Sequence, residues 1–287
     1  MCFTDTILNR NNKDHALMGP AHASSGLAVF ILTTVFIPPA ATLLMGQFSW
    51  PVAVLGALAC VAGALIPDFD NTNSTVKSAT GALGAPLSGL FRVSSFIVQN
   101  ARTKYDRSAE DVHRGFWHSL LGAAALGLVV FGVTSIRGKV HGLPFDSLGS
   151  LLAYVIAVYC AYIALVGLGS GSLPWLRKLG KSRVAEFLIS AVAVGVIFSY
   201  LPAPVAGSYG WLAGSMAVGA LTHILGDALT KQGVPLFAPV IKIKGKRWYN
   251  IRFAEFDASD ETLNKVVNFT SIVVVVVAAG FVLFAKM

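Results

Sequence analysis

Charge is what this chain has least of. Only 13% of its 287 residues are Asp, Glu, Lys or Arg, about half the ~25% of a soluble domain. So little charge does not cover a water-facing surface, and a 55% hydrophobic content excludes intrinsic disorder. Cysteine is equally sparse: Cys2, Cys60 and Cys160, with no CxxC pair. That excludes a disulfide scaffold and a thiolate zinc site. The ~10-residue alternating segments of a membrane β-barrel are missing too. The formal net charge of +8 lies in loops between apolar blocks, not on one basic domain. Nucleic acid is therefore not an expected primary partner.

What remains is a helical membrane protein with several spans. Seven apolar segments stand out, at about 24–46, 51–66, 116–136, 148–168, 185–201, 209–229 and 266–285. The first contains Pro38-Pro39 and should kink there. No small-residue cleavage site follows it, so it reads as a retained span. The second is short: at ~1.5 Å per residue it reaches ~24 Å of a ~30 Å hydrocarbon core. The stretch 86–98 is apolar but broken by Arg92 and serines, and reads as interfacial. Alternate loops between these segments hold 19 and 3 basic residues. The positive-inside rule then puts the N-terminus in the cytoplasm and the C-terminus outside. The expected fold is all-α, a single membrane-embedded domain over 1–287 with about seven transmembrane helices.

Ionisable residues at the ends of such segments call for a function. His22 opens the first segment. Asp68 and Asp70 close the second in Ile-Pro-Asp-Phe-Asp. His113 and His118 open the third in His-Arg-Gly-Phe-Trp-His-Ser. His223 and Asp227 lie near the end of the sixth in Thr-His-Ile-Leu-Gly-Asp. The topology, built from Lys and Arg alone, puts all of these on the cytoplasmic face.

The spacings suit metal ligation. His223 and Asp227, at i and i+4, share one helical face, with Thr230 further along the same stripe. Asp68 and Asp70 follow a proline at a helix end, where irregular backbone can aim both carboxylates at one site. His113 and His118 are ~140° apart on an ideal helix, so both ligate only if His113 precedes the first turn. Imidazole and carboxylate without thiolate suit zinc, manganese, iron or nickel over magnesium or calcium. Seven candidates exceed one tetrahedral site, which leaves one or two ions open. His15 and His141 lack such company and read as loop residues. Glu255, Asp257, Asp260 and Glu261 form a charge run, of which Glu261 precedes the last segment and is kept as a candidate. The run Lys242 to Arg247 reads as an anionic-lipid contact, with Trp248 at the interface.

Four motifs in order carry a resemblance: Ala-His-Ala at 21–23, Leu-Ile-Pro-Asp-Phe-Asp at 65–70, His-Arg-Gly-Phe-Trp-His-Ser at 113–119, and His-Ile-Leu-Gly-Asp-Ala-Leu-Thr-Lys-Gln-Gly-Val-Pro-Leu-Phe-Ala-Pro at 223–239. Together they resemble the YdjM-type inner-membrane metal-dependent hydrolases. The resemblance implies bound metal at His22, Asp68, His113, His118, His223 and Asp227. It also implies a hydrolytic reaction, through motif similarity to zinc phospholipases C. The family's Gly-Ser…Glu element is matched only approximately by 257–261.

These readings combine into an inner-membrane hydrolase with its centre facing the cytoplasm. The metal is zinc, one or two ions, with manganese the alternative. The ligand set is His22, Asp68, Asp70, His113, His118, His223 and Asp227. The catalytic candidates are Asp68 or Asp70 as general base and Arg114 as the group that stabilises negative charge on substrate. The substrate class is a phosphoester, such as a phospholipid headgroup, and membrane lipids are the expected partners. Two rivals are an ion transporter, disfavoured by the absence of repeats and of midplane charge, and a structural protein stapled by metal.

Overall fold

The computed structural model describes residues 4–37, 49–71, 74–100, 114–170, 183–201, 209–258 and 260–284. Among them are eight α-helices: α1 Thr4–Phe36, α2 Trp50–Gly63, α3 Thr75–Asn100, α4 Leu120–Thr134, α5 Leu148–Ser170, α6 Arg183–Ser199, α7 Gly210–Ala228 and α8 Glu261–Phe284. The described residues form no β-sheet, only isolated bridges. The expected all-α class is what is found, and each of the seven apolar segments contributes a helix.

The expected count of seven spans is corrected. Among the described residues three helices are long and apolar enough to cross a membrane: Gly19–Phe36, Leu148–Gly169 and Glu261–Ala278. The reason is length and composition. Trp50–Gly63 has 14 residues and Leu120–Thr134 has 15, so at ~1.5 Å per residue they reach ~21 to ~23 Å. Arg183–Ser199 stops at 17 residues. Helix α7 has 19, but glycines together with His223 and Asp227 dilute its apolar content. The helices by themselves do not orient the bundle, so a cytoplasmic N-terminus and a cytoplasmic metal site do not follow from the fold. Pro38 and Pro39, where a kink was expected, lie outside the described residues.

Helix α2 is the axis of the core. It packs against α1, α5 and α7, and α7 also packs against α4. Small residues set the approach of α2 to α7. A Cβ on Gly63 would collide with the Met216 carbonyl, and one on Gly219 with the Cys60 carbonyl. This small-residue packing is how apolar helices associate where water supplies no driving force. It holds the C-terminal end of α2 directly against the middle of α7.

Helix α3 contains the stretch expected to lie at the interface. It bends at Gly81, where φ is 57°. Ser88 and Ser95 point inward and are buried, whereas Leu90, Val93, Phe96 and Ile97 are each about 60% exposed. A helix in water turns the opposite face inward. This one is built for apolar surroundings, with its small polar face against the protein.

Candidate metal centre

Four segments meet at one end of the bundle. Helix α2 runs out at Gly63 and the chain tightens into a 3₁₀ turn over Ile66–Asp70, with Pro67 in its first turn. A second 3₁₀ turn, Phe116–His118, precedes α4, whose N-cap Ser119 accepts a hydrogen bond from the Gly122 amide. These turns deliver Asp68 and His118. Helix α7 delivers His223 and Asp227 from one face, and α1 brings His22.

The donor atoms form a compact figure. His118 Nε2 lies 3.2 Å from His223 Nε2. Asp68 Oδ1 lies 3.6 Å from His118 Nε2 and 3.5 Å from His223 Nε2. Asp227 Oδ2 lies 3.6 Å and 3.7 Å from the same two nitrogens. A tetrahedral ion with bonds of ~2.0–2.2 Å holds its donors ~3.3–3.6 Å apart. Five separations between these four donors fall close to that spacing. The donors form two groups of three that share His223, one of His22, His223 and Asp227 and one of Asp68, His118 and His223.

Hydrogen bonds around the donors fix their orientation. His223 Nδ1 stands 2.8 Å from the Ala64 carbonyl oxygen. A carbonyl only accepts, so Nδ1 carries the proton and Nε2 presents its lone pair to the cluster. A backbone acceptor on the far nitrogen is the usual support of a metal-ligating histidine. Asp227 Oδ1 is buried without a hydrogen-bond partner among the described residues, and His22 Nε2 is 3.5 Å from it. The His22 ring stacks on His223 with centroids 4.0 Å apart. Asp227 is buried and Asp68 partly so, and a divalent ion would add positive charge to that which Arg114 brings to Asp227.

Arg114 is buried beside the cluster. Its Nε is 3.4 Å from Asp227 Oδ2. Its Nη1 donates to Thr230 Oγ1 at 2.8 Å and to the Gly233 carbonyl at 3.1 Å. Thr230 in turn donates to the Asp227 carbonyl at 2.7 Å. Arg114 and Thr230 thus brace the end of α7 that carries Asp227.

Five of the sequence candidates, His22, Asp68, His118, His223 and Asp227, are brought together, in two potential metal-holding groups that share His223. Asp70 turns the other way: it is buried and accepts a hydrogen bond from Ser95 Oγ of α3 at 3.0 Å. A 3₁₀ turn advances ~120° per residue, so positions two apart diverge. His113 lies outside the described residues. Glu261 is exposed and pairs with Lys265 of its own helix at 2.6 Å, and His141 is exposed in a loop. Sequence reasoning missed the Ala64 carbonyl and Ser95. The first is a backbone atom with no residue signature, and the second is one of several serines in a stretch without a motif.

The family described as YdjM inner membrane protein matches residues 17–175 and 184–287 of this chain. No match was found among curated proteins or solved structures. The chain belongs to the YdjM family and is an integral inner-membrane protein with a buried His/Asp cluster suited to metal.

Proposed function

We propose that this YdjM-family protein is a metal-dependent hydrolase acting on a phosphoester, a phospholipid headgroup being the substrate that its setting favours. The observation that carries the reading is the convergence of His118, His223, Asp68 and Asp227, whose donor atoms lie 3.2–3.7 Å apart in five pairs. Zinc is the metal of first choice for two imidazoles and two carboxylates, with manganese the alternative. His22 is close enough to Asp227 to serve a second ion or to orient that carboxylate.

Four protein ligands would close a tetrahedral site, as in a structural staple, whereas catalysis needs an open position. Asp68 is the member that can open it. Its side chain is 17% exposed, against 0% for both histidines and 2% for Asp227. A bound divalent ion would supply Lewis acidity and bring the pKa of water toward ~7. Asp68 then takes the proton from the attacking water and returns it to the oxygen that leaves phosphorus. Arg114 and Thr230 keep Asp227 aimed.

The cytoplasmic face is the side we assign to the site. Lys231, Lys242, Lys244, Lys246, Arg247, Arg252 and Lys265 all follow α7 at the end that carries the cluster, as the positive-inside rule favours for a cytoplasmic loop. The deciding experiment is phosphodiester hydrolysis by the purified, reconstituted protein with metal content measured on the same sample. Bound metal with ion flux across liposomes and no hydrolysis would hand the site to a transporter. Bound metal with neither would leave a structural staple.

A further inference from the structure

A cavity of about 440 Å³ lies between α1, α7 and α8, bounded by the loop that runs from 253 to 258. It sits near the edge of the membrane. His22 falls in the first turn of the apolar span Gly19–Phe36, and Asn264 in the first turn of Glu261–Ala278. His22 and Asp227 line the cavity, and with His223 they make up one of the two metal-holding groups. His223 also belongs to the other group, with Asp68 and His118, and neither of these two lines the cavity. The cavity therefore meets the cluster from the His22 side.

The polar atoms of its wall share one character. Ser25 Oγ donates to the His22 carbonyl at 3.0 Å, Thr222 Oγ1 to the Val218 carbonyl at 2.9 Å, and Thr230 Oγ1 to the Asp227 carbonyl at 2.7 Å. A hydroxyl has one hydrogen, so each keeps only lone pairs for a further partner. Asn264 Nδ2 gives its hydrogens to the Ala258 and Asp260 carbonyls at 3.0 Å and 2.9 Å, which leaves its amide oxygen. Asp227 Oδ1 accepts no hydrogen bond among the described residues, while Arg114 approaches the other oxygen, Oδ2. Asp227 is the one charged residue among the described residues of the wall, which include no Lys or Arg. His22 is the one side chain there still able to donate.

Such a wall takes a cation and offers an anion almost no donor. The rest of it is apolar, with Leu225, Leu229, Phe253 and Phe256. Low-dielectric walls around charge of one sign focus its field and raise the local concentration of counter-ions. The volume admits a divalent ion with its water, since six waters at ~30 Å³ each fill roughly 180 Å³. The segment 253–264 that borders the cavity holds Glu255, Asp257, Asp260 and Glu261 and no Lys or Arg. Asp257 and Glu261 pair with Lys231 and Lys265, Asp260 accepts from the first amides of α8, and Glu255 is exposed. This border opposes no cation.

We propose that the cavity is the entry route of the metal, a cation-selective vestibule through which a divalent ion reaches His22 and Asp227 and passes by way of the shared His223 to Asp68 and His118. The proposal rests on the metal reading of the cluster and is independent of hydrolysis.

The test reads the rate of metal loading. The full-length protein in detergent is stripped with a chelator, mixed with zinc, desalted at set times and measured by elemental mass spectrometry; release into chelator is timed in the same way. A passage changes both rates by one factor and leaves the equilibrium alone. Val267→Trp, which narrows the cavity from α8, should slow uptake and release alike, on the order of tenfold, with unchanged occupancy at limiting zinc. Ala258→Leu narrows it from the loop without altering a helix and should act the same way if the tryptophan variant folds poorly. Leu263→Lys puts an ammonium on the wall, and Leu263→Met is its uncharged match in length. The lysine variant should load on the order of tenfold more slowly than the methionine variant at low salt, and the gap should close near 1 M salt, where the Debye length is about 3 Å. Wild-type rates in both narrowed variants overturn the route, as does lowered equilibrium occupancy in both, which would make these residues supports of the ligands. Equal loading of the lysine and methionine variants at low salt overturns its selectivity. A wild type that takes up no zinc removes the metal centre itself, an outcome distinct from normal occupancy with unchanged rates.

Discussion

His118 and His223 face each other through their Nε2 atoms at 3.2 Å, both rings fully buried. The Ala64 carbonyl fixes the proton of His223 on Nδ1, so the His223 lone pair points straight at its neighbour. In the presence of Asp68 and Asp227 this is a cage of lone pairs. Such a cage is stable with a cation inside, because unpaired buried charge is costly.

Metal content follows directly. Purified protein should carry close to one equivalent of a divalent transition metal, zinc first, read by elemental mass spectrometry. His118→Ala, His223→Ala and Asp227→Ala should each lower occupancy at least tenfold at limiting metal. His141→Ala, in an exposed loop, should leave it unchanged. Equal occupancy across the four variants would dismiss the cluster as a metal site.

Much of this centre is legible in the amino-acid sequence alone. The i, i+4 spacing of His223 and Asp227 puts both on one helical face, and their atoms lie 3.7 Å apart. Thr230, one turn further, does reach back to the Asp227 carbonyl. The divergence of Asp68 from Asp70 is not legible, because it depends on a 3₁₀ turn that no periodicity announces. The number of spans escapes the sequence for a related reason. Hydropathy marks apolar stretches, but whether 14 or 15 helical residues cross a bilayer or sit within a bundle is decided by neighbours such as α7, which glycines admit.

Asp68 and Asp70 make opposite predictions. Asp68→Asn keeps the shape and loses the base, so hydrolysis should fall by about 10²–10⁴-fold, with metal occupancy reduced far less than in His223→Ala. Asp70→Asn keeps an acceptor for Ser95 and should leave both metal and turnover near wild type. Loss of turnover in Asp70→Asn with Asp68→Asn fully active would invert the assignment.

The side of the membrane is open to a labelling experiment. A cysteine placed at Asn250, in the basic loop beside the site, should be inaccessible to a membrane-impermeant maleimide in intact cells. It should label once the inner membrane is broken. Labelling in cells with only the outer permeability barrier removed would put the centre on the outer face.

Packing of α2 on α7 has its own signature. Gly219→Val drives a side chain into the Cys60 carbonyl and should lower stability by roughly 1–3 kcal/mol. It also disturbs the end of α2 that presents Ala64 to His223, so metal affinity should fall with it. Gly132→Ala on α4 meets no atom within 4 Å and should be neutral or slightly stabilising. Thermal unfolding in detergent, with and without a chelator, separates the two. Similar unfolding temperatures for both variants would contradict the close approach.

Arg114 has two roles open to it, and they differ in what a lysine would do. In the sequence, an arginine next to a metal centre suggests a fork that clamps a substrate phosphate. The structure binds that fork to the protein: Nη1 donates to Thr230 and Gly233, and Nε approaches Asp227. This geometry favours a positioning role for Arg114, holding the carboxylate toward the cluster. Lysine keeps the charge but lacks the planar, multi-donor geometry, and a single ammonium does not reach Asp227, Thr230 and Gly233 at their present places. Arg114→Lys should thus weaken metal binding by about 10–100-fold, as losses of a ligand's hydrogen-bond support do. Thr230→Val, which removes the hydroxyl between Arg114 and the Asp227 carbonyl, should weaken it in the same direction by less. The activity of Arg114→Lys should recover when metal is raised to saturation, with the Michaelis constant for substrate unchanged. A clamp behaves differently: metal affinity stays normal, and turnover or substrate affinity remains depressed at every metal concentration. Metal titrations of the two variants, each followed by hydrolysis at saturating metal, decide between a brace for Asp227 and a hand for the substrate.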